Sequence, residues 1–247
     1  MVNAAPQDQW RLLDVQANDT KLAQIAHRRR TLPELAELDR LSSRLTDLEN
    51  RLVVARTRVG DTEREVAKAE ADVEQVRARA RRNQQRLDAG QGAPKELQAM
   101  QHELESLAHR QTVLEDEELE VMERLESAQK EVAALQADIT SVTADVQAVT
   151  GRRDAAFSAL DADQRVATDG RAASVAGLSA ELITLYDRVA ANNGGVGAAK
   201  LFQRRCEGCR LELTAADIGR IRSSAPDAVI RCEECGRILI RTADSGL

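Results

Sequence analysis

Aromatic residues are almost missing from this chain: one Trp, one Tyr and two Phe make up 2% of it. Large aromatic side chains supply much of the buried area of a globular core, so their scarcity argues against a wide α/β or sandwich interior. No apolar run approaches the roughly 18 residues that a membrane-spanning helix needs, and the first residues carry no apolar region of a secretory signal. The expectation is a soluble, cytoplasmic protein with no membrane partner. A Gly-rich phosphate loop, a Ser-His-Asp set and paired buried carboxylates are also lacking, so neither enzymatic chemistry nor a small-molecule substrate is expected. The net charge of −6 gives no global basic footprint for nucleic acid. Any such footprint has to be local.

What is present is charge and aliphatic periodicity. Charged residues make up 31% and hydrophobic ones, mainly Leu, Val and Ala, 43%, a balance that suits narrow helix seams and elongated α-structure. From Leu38 a heptad series runs through Leu45, Leu52, Val59, Val66, Val73, Ala80 and Leu87, interleaved with Leu41, Leu48, Ala55, Thr62, Ala69, Val76 and Asn83. A second series runs from Leu97 through Leu104, Gln111, Glu118, Leu125, Val132, Ile139 and Val146, with Met100, Leu107, Leu114, Val121, Ala128, Leu135, Val142 and Val149 in the alternate positions.

Between the two series lies Asp88-Ala-Gly-Gln-Gly-Ala-Pro94, whose glycines can end one helix while Pro94 opens the next. The strands should therefore fold back into a long antiparallel coiled-coil hairpin with its tip at 88–94. A turn centred near Gln91 places the basic stretch Arg56 to Lys68 opposite the acidic run Glu115 to Glu126. Upstream, Leu12, Val15, Leu22 and Ile25 predict a shorter helix broken at Pro33, packing beside the end of the second long helix. Beyond Leu160 the pattern loosens through Asp169-Gly170. Leu178, Leu182, Leu185 and Val189 then mark another helix, capped by Ser179 and ended by Asn192-Asn193-Gly194-Gly195. Trp10, Phe157 and Tyr186 are expected to gather in a small core at the open end of the hairpin.

Residues 196–247 change character. Ala198 to Arg204, Ala228 to Arg231 and Arg237 to Arg241 read as strands, and Thr214-Ala-Ala-Asp217 as a cap before Ile218 and Ile221. All four cysteines fall here as Cys206-x-x-Cys209 and Cys232-x-x-Cys235. Four thiolates satisfy tetrahedral Zn²⁺ with no open position, and so small a segment with a single aromatic, Phe202, needs a staple. The reading is one structural zinc per chain, with Gly236 and Gly208 easing the turns around the thiolates. A rubredoxin-like iron site uses the same ligands but wants an apolar shell that this segment lacks. A thioredoxin-type redox pair needs one C-x-x-C at a helix start rather than two matched pairs. His102-Glu103 and His109 are spaced seven apart, not the four of a zinc protease helix, and Asp116-Glu117-Glu118 reads as a solvated pairing face. The domains are thus residues 1–195, the hairpin with its base helices, and 196–247, the ribbon.

Leu32-Pro33-Glu34-Leu35 entering the hairpin, Pro94-Lys95-Glu96-Leu97-Gln98 after its tip, Leu182 to Tyr186 before the ribbon and Cys232-Glu-Glu-Cys-Gly-Arg-Ile-Leu239 closing it resemble the bacterial C4-type zinc-ribbon family with a coiled-coil hairpin. The resemblance implies a non-enzymatic protein whose relatives are described as nucleic-acid-binding zinc ribbons and serve as adaptors or chaperone-like partners. It places the metal on Cys206, Cys209, Cys232 and Cys235 and brings no catalytic residue. Glu233 stands where such knuckles often carry Pro.

Function is therefore expected to be that of an interaction scaffold binding a protein partner, with nucleic acid as the alternative partner. Two basic groups are candidate contact surfaces: Arg77, Arg79, Arg81, Arg82 and Arg86 near the tip, and Arg204, Arg205 and Arg210 in the ribbon. From Lys200 to Arg241 nine basic residues meet six acids. Zn²⁺ with four thiolates adds −2, which leaves the ribbon close to neutral and favours protein over phosphate.

Overall fold

The structure, a computed structural model, describes residues 2–247. Helix α1 (Pro6–Arg30) carries Pro at its first position and His27 to Arg30 in its last turn, both favourable placements. Pro33 opens α2 (Pro33–Asp88), and α3 (Pro94–Val175) follows the turn. Helix α4 (Ala180–Asn192) comes next. The strands β1 (Ala198–Phe202), β2 (Arg205–Cys206), β3 (Ile230–Arg231) and β4 (Ile238–Ile240) enclose a short helix α5 (Ala215–Ser223). The chain divides into two compact units: residues up to Leu35 with Gly151–Leu247, and Ala36–Thr150.

In the second unit the buried residues follow the heptads. Leu41, Leu48 and Ala55 of α2 cluster with Leu135, Val142 and Val149 of α3. Buried Thr62 keeps its hydroxyl satisfied on its own helix, donating to Arg58 O at 2.9 Å. At the turn, Gly90 takes φ +62° and Gln91 N–H donates back to Arg86 O, an end that satisfies the last carbonyls of α2. Glu96 then accepts from Ala93 N–H at 2.9 Å and caps α3.

The expected facing register is corrected. In mid-stalk Arg58 pairs with Glu131 and Glu65 with Arg124, so facing residues there lie one heptad farther along α3 than folding about Gln91 gives, whereas Arg79 with Glu103 near the tip keeps the expected register. The acidic run accordingly meets the arginines near the tip: Glu115 pairs with Arg77 at 2.6 Å. The stretch Arg56 to Lys68 itself alternates in sign, so it never formed a basic block needing acids opposite.

In the first unit α3 continues through Asp169-Gly170, where the sequence pattern loosens. Gly170 packs closely against α1: a Cβ would stand 2.8 Å from Asn18 Oδ1 and oblige that side chain to turn aside. Arg29 with Asp161, and Arg11 with Ala173 O and Ala176 O, bind the same two helices. Ser179 caps α4 by accepting from Leu182 N–H. The core joins Leu12 and Val15 of α1, Leu182, Tyr186 and Val189 of α4, Ala198 of β1, and Ile238 and Ile240 of β4. The aromatics do not gather as expected, and only Tyr186 belongs to this core. Trp10 is half exposed, donating from Nε1 to Arg241 O at 2.7 Å, and Phe157 lies under the Arg29 guanidinium.

A polar cluster, buried at Tyr186 and Gln16 and partly exposed at Asp19 and Arg171, borders that core. Tyr186 hydroxyl donates to Asp19 Oδ2 at 2.8 Å and lies 3.1 Å from Gln16 Oε1. Gln16 Oε1 accepts from Gly197 N–H at 2.7 Å, and Arg171 Nε donates to Asp19 Oδ1 at 2.6 Å. Every member has a partner, the condition under which buried polar groups fix one packing instead of weakening it.

Candidate metal centre

The sheet order is β2-β1-β4-β3, with β1 and β4 parallel and the outer pairs antiparallel. Its two faces serve different cores. Ala198, Ile238 and Ile240 point to the helices, while Ala199, Leu201 and Leu239 meet Ile218 and Ile221 of α5 together with Cys206 and Cys232. Thr214 caps α5 as expected, accepting from Asp217 N–H at 3.2 Å.

Strand β1 stops at Phe202, two residues earlier than expected, because Gln203 and Arg204 take φ +44° and +65°. They form a tight turn of the kind that usually recruits Asn-Gly. The strain is held from outside: Gln203 N–H donates to Asp244 O, Arg204 N–H to Ser245 O, and Arg204 Nε to Gly246 O. The 3₁₀ turn Ala243–Ser245 thereby clamps the hairpin that delivers Cys206.

Each cysteine pair closes a turn of the same design. Arg210 N–H donates to Cys206 O at 2.7 Å and Gly236 N–H to Cys232 O at 2.8 Å, and these two residues have φ +61° and +71°. Glycine was the expected residue for this conformation; the first knuckle uses arginine. Gly208 has a different role from the one its sequence position implied, since a Cβ there would come within 2.5 Å of Arg237 Cδ and 3.0 Å of Ala199 Cβ. It is a close-packing glycine under Arg237.

The four sulfurs meet: Cys206 Sγ lies 3.9 Å from Cys235 Sγ, Cys209 Sγ lies 3.9 Å from Cys232 Sγ, and all four fall within 4.8 Å of one another. Tetrahedral Zn²⁺ at about 2.3 Å from each sulfur spaces its ligands about 3.8 Å apart, so the donor set fits that ion. No histidine or carboxylate joins this group among the described residues. Burial pushes the Cys206 and Cys232 thiols up, against backbone N–H groups of Gly208, Cys209, Glu234 and Cys235 that favour the thiolate. At Cys235 burial also acts upward, but the N–H and guanidinium of Arg237 and the neighbouring thiols bring it down to about 7.

Arg237 is a site residue that sequence inspection did not single out, although it stands in the Cys-Gly-Arg close. Its Nη2 donates to Asn193 O at 3.1 Å, and its guanidinium also faces the Cys235 thiol. It links the end of α4 to the second cysteine pair.

The two candidate basic surfaces fare differently. Near the tip, Arg77, Arg79 and Arg81 pair with Glu115, Glu103 and Glu74. Arg82 and Arg86 line a shallow cleft with Gln91 and carry no ion pair among the described residues. In the ribbon, Arg204 and Arg210 are exposed but spend their backbones on the two strained turns, while Arg205 pairs in the β1–β2 ladder.

Residues 15–194 match the family described as CT398-like coiled coil hairpin domain, and residues 205–239 match the C4-type zinc ribbon domain. A solved structure from Mycobacterium smegmatis is 35% identical, covers 98% of this chain and 100% of its own, and superposes with a TM-score of 0.83. The structure of CT398 from Chlamydia trachomatis, 17% identical with a TM-score of 0.66 over 94% of this chain and 97% of that one, shares the fold. An uncharacterized protein of Mycobacterium tuberculosis is 39% identical over 88 residues, a stretch that spans 36% of this chain and 36% of that protein. No described helix is long and apolar enough to cross a membrane. The chain belongs to the CT398-like coiled-coil hairpin family, with a C4 zinc ribbon at residues 205–239.

Proposed function

We propose that this protein is a non-enzymatic interaction scaffold in which one structural zinc per chain holds the ribbon and the ribbon docks a protein partner. The observation that supports it is the closed four-sulfur set: with every tetrahedral position taken by protein, the ion has no place for water or substrate and serves folding. The near-neutral charge of the ribbon and its single aromatic, Phe202, give phosphates and bases little to bind. Elemental analysis of purified protein should give one zinc and no iron. Crosslinking of tagged full-length protein in its own cells should place partner crosslinks within 196–247, and these should vanish in Cys232→Ser. Submicromolar binding of random-sequence single- or double-stranded nucleic acid near physiological salt, lost when Arg204, Arg205 and Arg210 become alanine, overturns the reading in favour of a nucleic-acid ribbon.

A further inference from the structure

The middle of the hairpin carries an apolar cleft that its own seam leaves open. Leu119 and Met122 on α3 are 59% and 47% exposed, and with Leu125 and the α2 residue Val66 they line a cleft of about 360 Å³. In a two-helix coiled coil such side chains belong on solvated flanks, where the neighbouring heptads place charged and polar groups. Leu119 and Met122, three residues apart, lie side by side as a short apolar strip on the outside of α3, and Glu126 continues the row.

The charge around that strip has one sign. Between Glu115 and Glu126 there are seven acids and one base, Arg124. Arg124 is taken by Glu65 across the seam, and Lys130 is taken by Glu126. Asp116, Glu120 and Glu123 form the adjacent helical row, exposed and without ion pairs among the described residues. The bare strip is therefore rimmed by carboxylates whose charge the hairpin does not neutralise.

We infer that this cleft is a docking site for a basic amphipathic helix of a partner protein, which would lie along α3 as a third helix. Its apolar side chains would cover Leu119 and Met122, and its Lys or Arg residues would meet Asp116, Glu120 and Glu123. The exposed methionine supports this occupant, because its flexible thioether adapts to different apolar partners. Helix-in-groove recognition uses anchors at this spacing. A second copy of the chain is a poorer occupant, since it would set one acidic run against another. The site lies within Ala36–Thr150 and stands independently of any partner of the ribbon.

The test uses full-length zinc-loaded protein and a fluorescent synthetic Leu/Lys helix of roughly 18 residues, about five turns, with a scrambled peptide of the same composition that cannot segregate its leucines. Fluorescence anisotropy should show the amphipathic helix binding and the scrambled one binding at least about tenfold more weakly. Replacing Leu119 and Met122 by Gln should weaken binding about tenfold or more. Glu120→Gln with Glu123→Gln should weaken it severalfold and flatten its salt dependence. Val53→Gln with Val54→Gln, at two other exposed apolar residues of the same unit, should leave it unchanged. All these positions are exposed, and unchanged helical circular dichroism certifies each variant. Equal binding of the scrambled peptide, or equal loss in the Val53/Val54 variant, overturns the proposal. So does sedimentation showing a dimer that the Leu119/Met122 variant dissociates while peptide binding is absent, which would assign the strip to a second copy.

Discussion

The two compact units of this chain bury their side chains by different rules. In Ala36–Thr150 burial repeats every heptad along two helices, so a layer such as Leu48, Leu135 and Val142 has neighbours only above and below it. In the other unit, Leu12, Tyr186, Val189, Ala198, Ile238 and Ile240 come from four elements and share one core. The sheet carries that core on one face and the cysteine-bearing core on the other. A defect in Ala36–Thr150 should stay near its layer, as in other quasi-one-dimensional arrays. A defect in the ribbon-bearing unit has no layer to stay in.

The largest effect should come from the metal. Structural zinc sites of this type contribute about 10 kcal/mol or more of apparent binding free energy that is also folding free energy. Chelation, or Cys232→Ser, should therefore unfold residues 196–247. Trp10 is the sole tryptophan and donates to Arg241 O, so its emission should shift to the red on metal loss. Most of the helical circular dichroism should persist, since the heptads of α2 and α3 do not depend on zinc. A helical signal that collapses with the metal would erase the distinction between the units.

The converse defect is Val142→Asp, at a residue 1% exposed in the hairpin seam. Burying an unpaired carboxylate there should cost roughly 3 kcal/mol. Hydrogen exchange should quicken in the flanking heptads while Trp10 emission stays put. Accelerated exchange across α4 and the strands would show that the units are coupled far more tightly than their separate cores imply.

Local rules were readable in the sequence and long-range closeness was not. The clustered seam positions, Leu38 to Ala55 on α2 and Val132 to Val149 on α3, were legible because the heptad is a period, and Ser179, Thr214 and the four cysteines because capping and ligation act over three residues. The register of α2 against α3 was misplaced by a heptad, since a repeat looks the same after seven residues and only pairs such as Arg58 with Glu131 break the tie. Gly170 read as a loosening of α3 because its reason, Asn18, is far away in sequence. The Gln16–Tyr186–Asp19–Arg171 cluster is invisible for the same cause, its members being ordinary polar residues on three different helices.

That cluster supplies the next test of how defects spread. Tyr186→Phe keeps the buried ring and removes the hydroxyl. Asp19 retains Arg171 and Gln16 retains Gly197 N–H, so neither acceptor is stranded, and the cost should fall near 1 kcal/mol, the low end for a buried hydrogen bond. Chemical denaturation followed by Trp10 should show this loss in the ribbon-bearing unit, with zinc affinity moving alongside it. A loss confined to α4, with zinc affinity unchanged, would mean the two faces of the sheet are insulated from each other.

The smallest effect sharpens a comparison inside the metal site itself. Arg210 and Gly236 occupy equivalent places after their cysteine pairs and share the left-handed conformation. For a residue with a Cβ that conformation costs roughly 1–2 kcal/mol. Glycine escapes the cost but loses about 0.5–1 kcal/mol more than alanine through the freedom it gives up on folding. Arg210→Gly should therefore raise stability by roughly 0.5 kcal/mol, the difference between these two terms. Gly236→Ala should lower it by about 1 kcal/mol; its new Cβ would stand 3.0 Å from Arg231 Nη2, the far end of a side chain able to swing aside. Competition with a chromophoric chelator at equilibrium reads both changes as opposite shifts in zinc affinity. If Arg210→Gly weakens zinc instead, the arginine side chain contributes more to the folded ribbon than its backbone takes away, and its exposed guanidinium becomes a residue to map in the crosslinking test of the proposed partner.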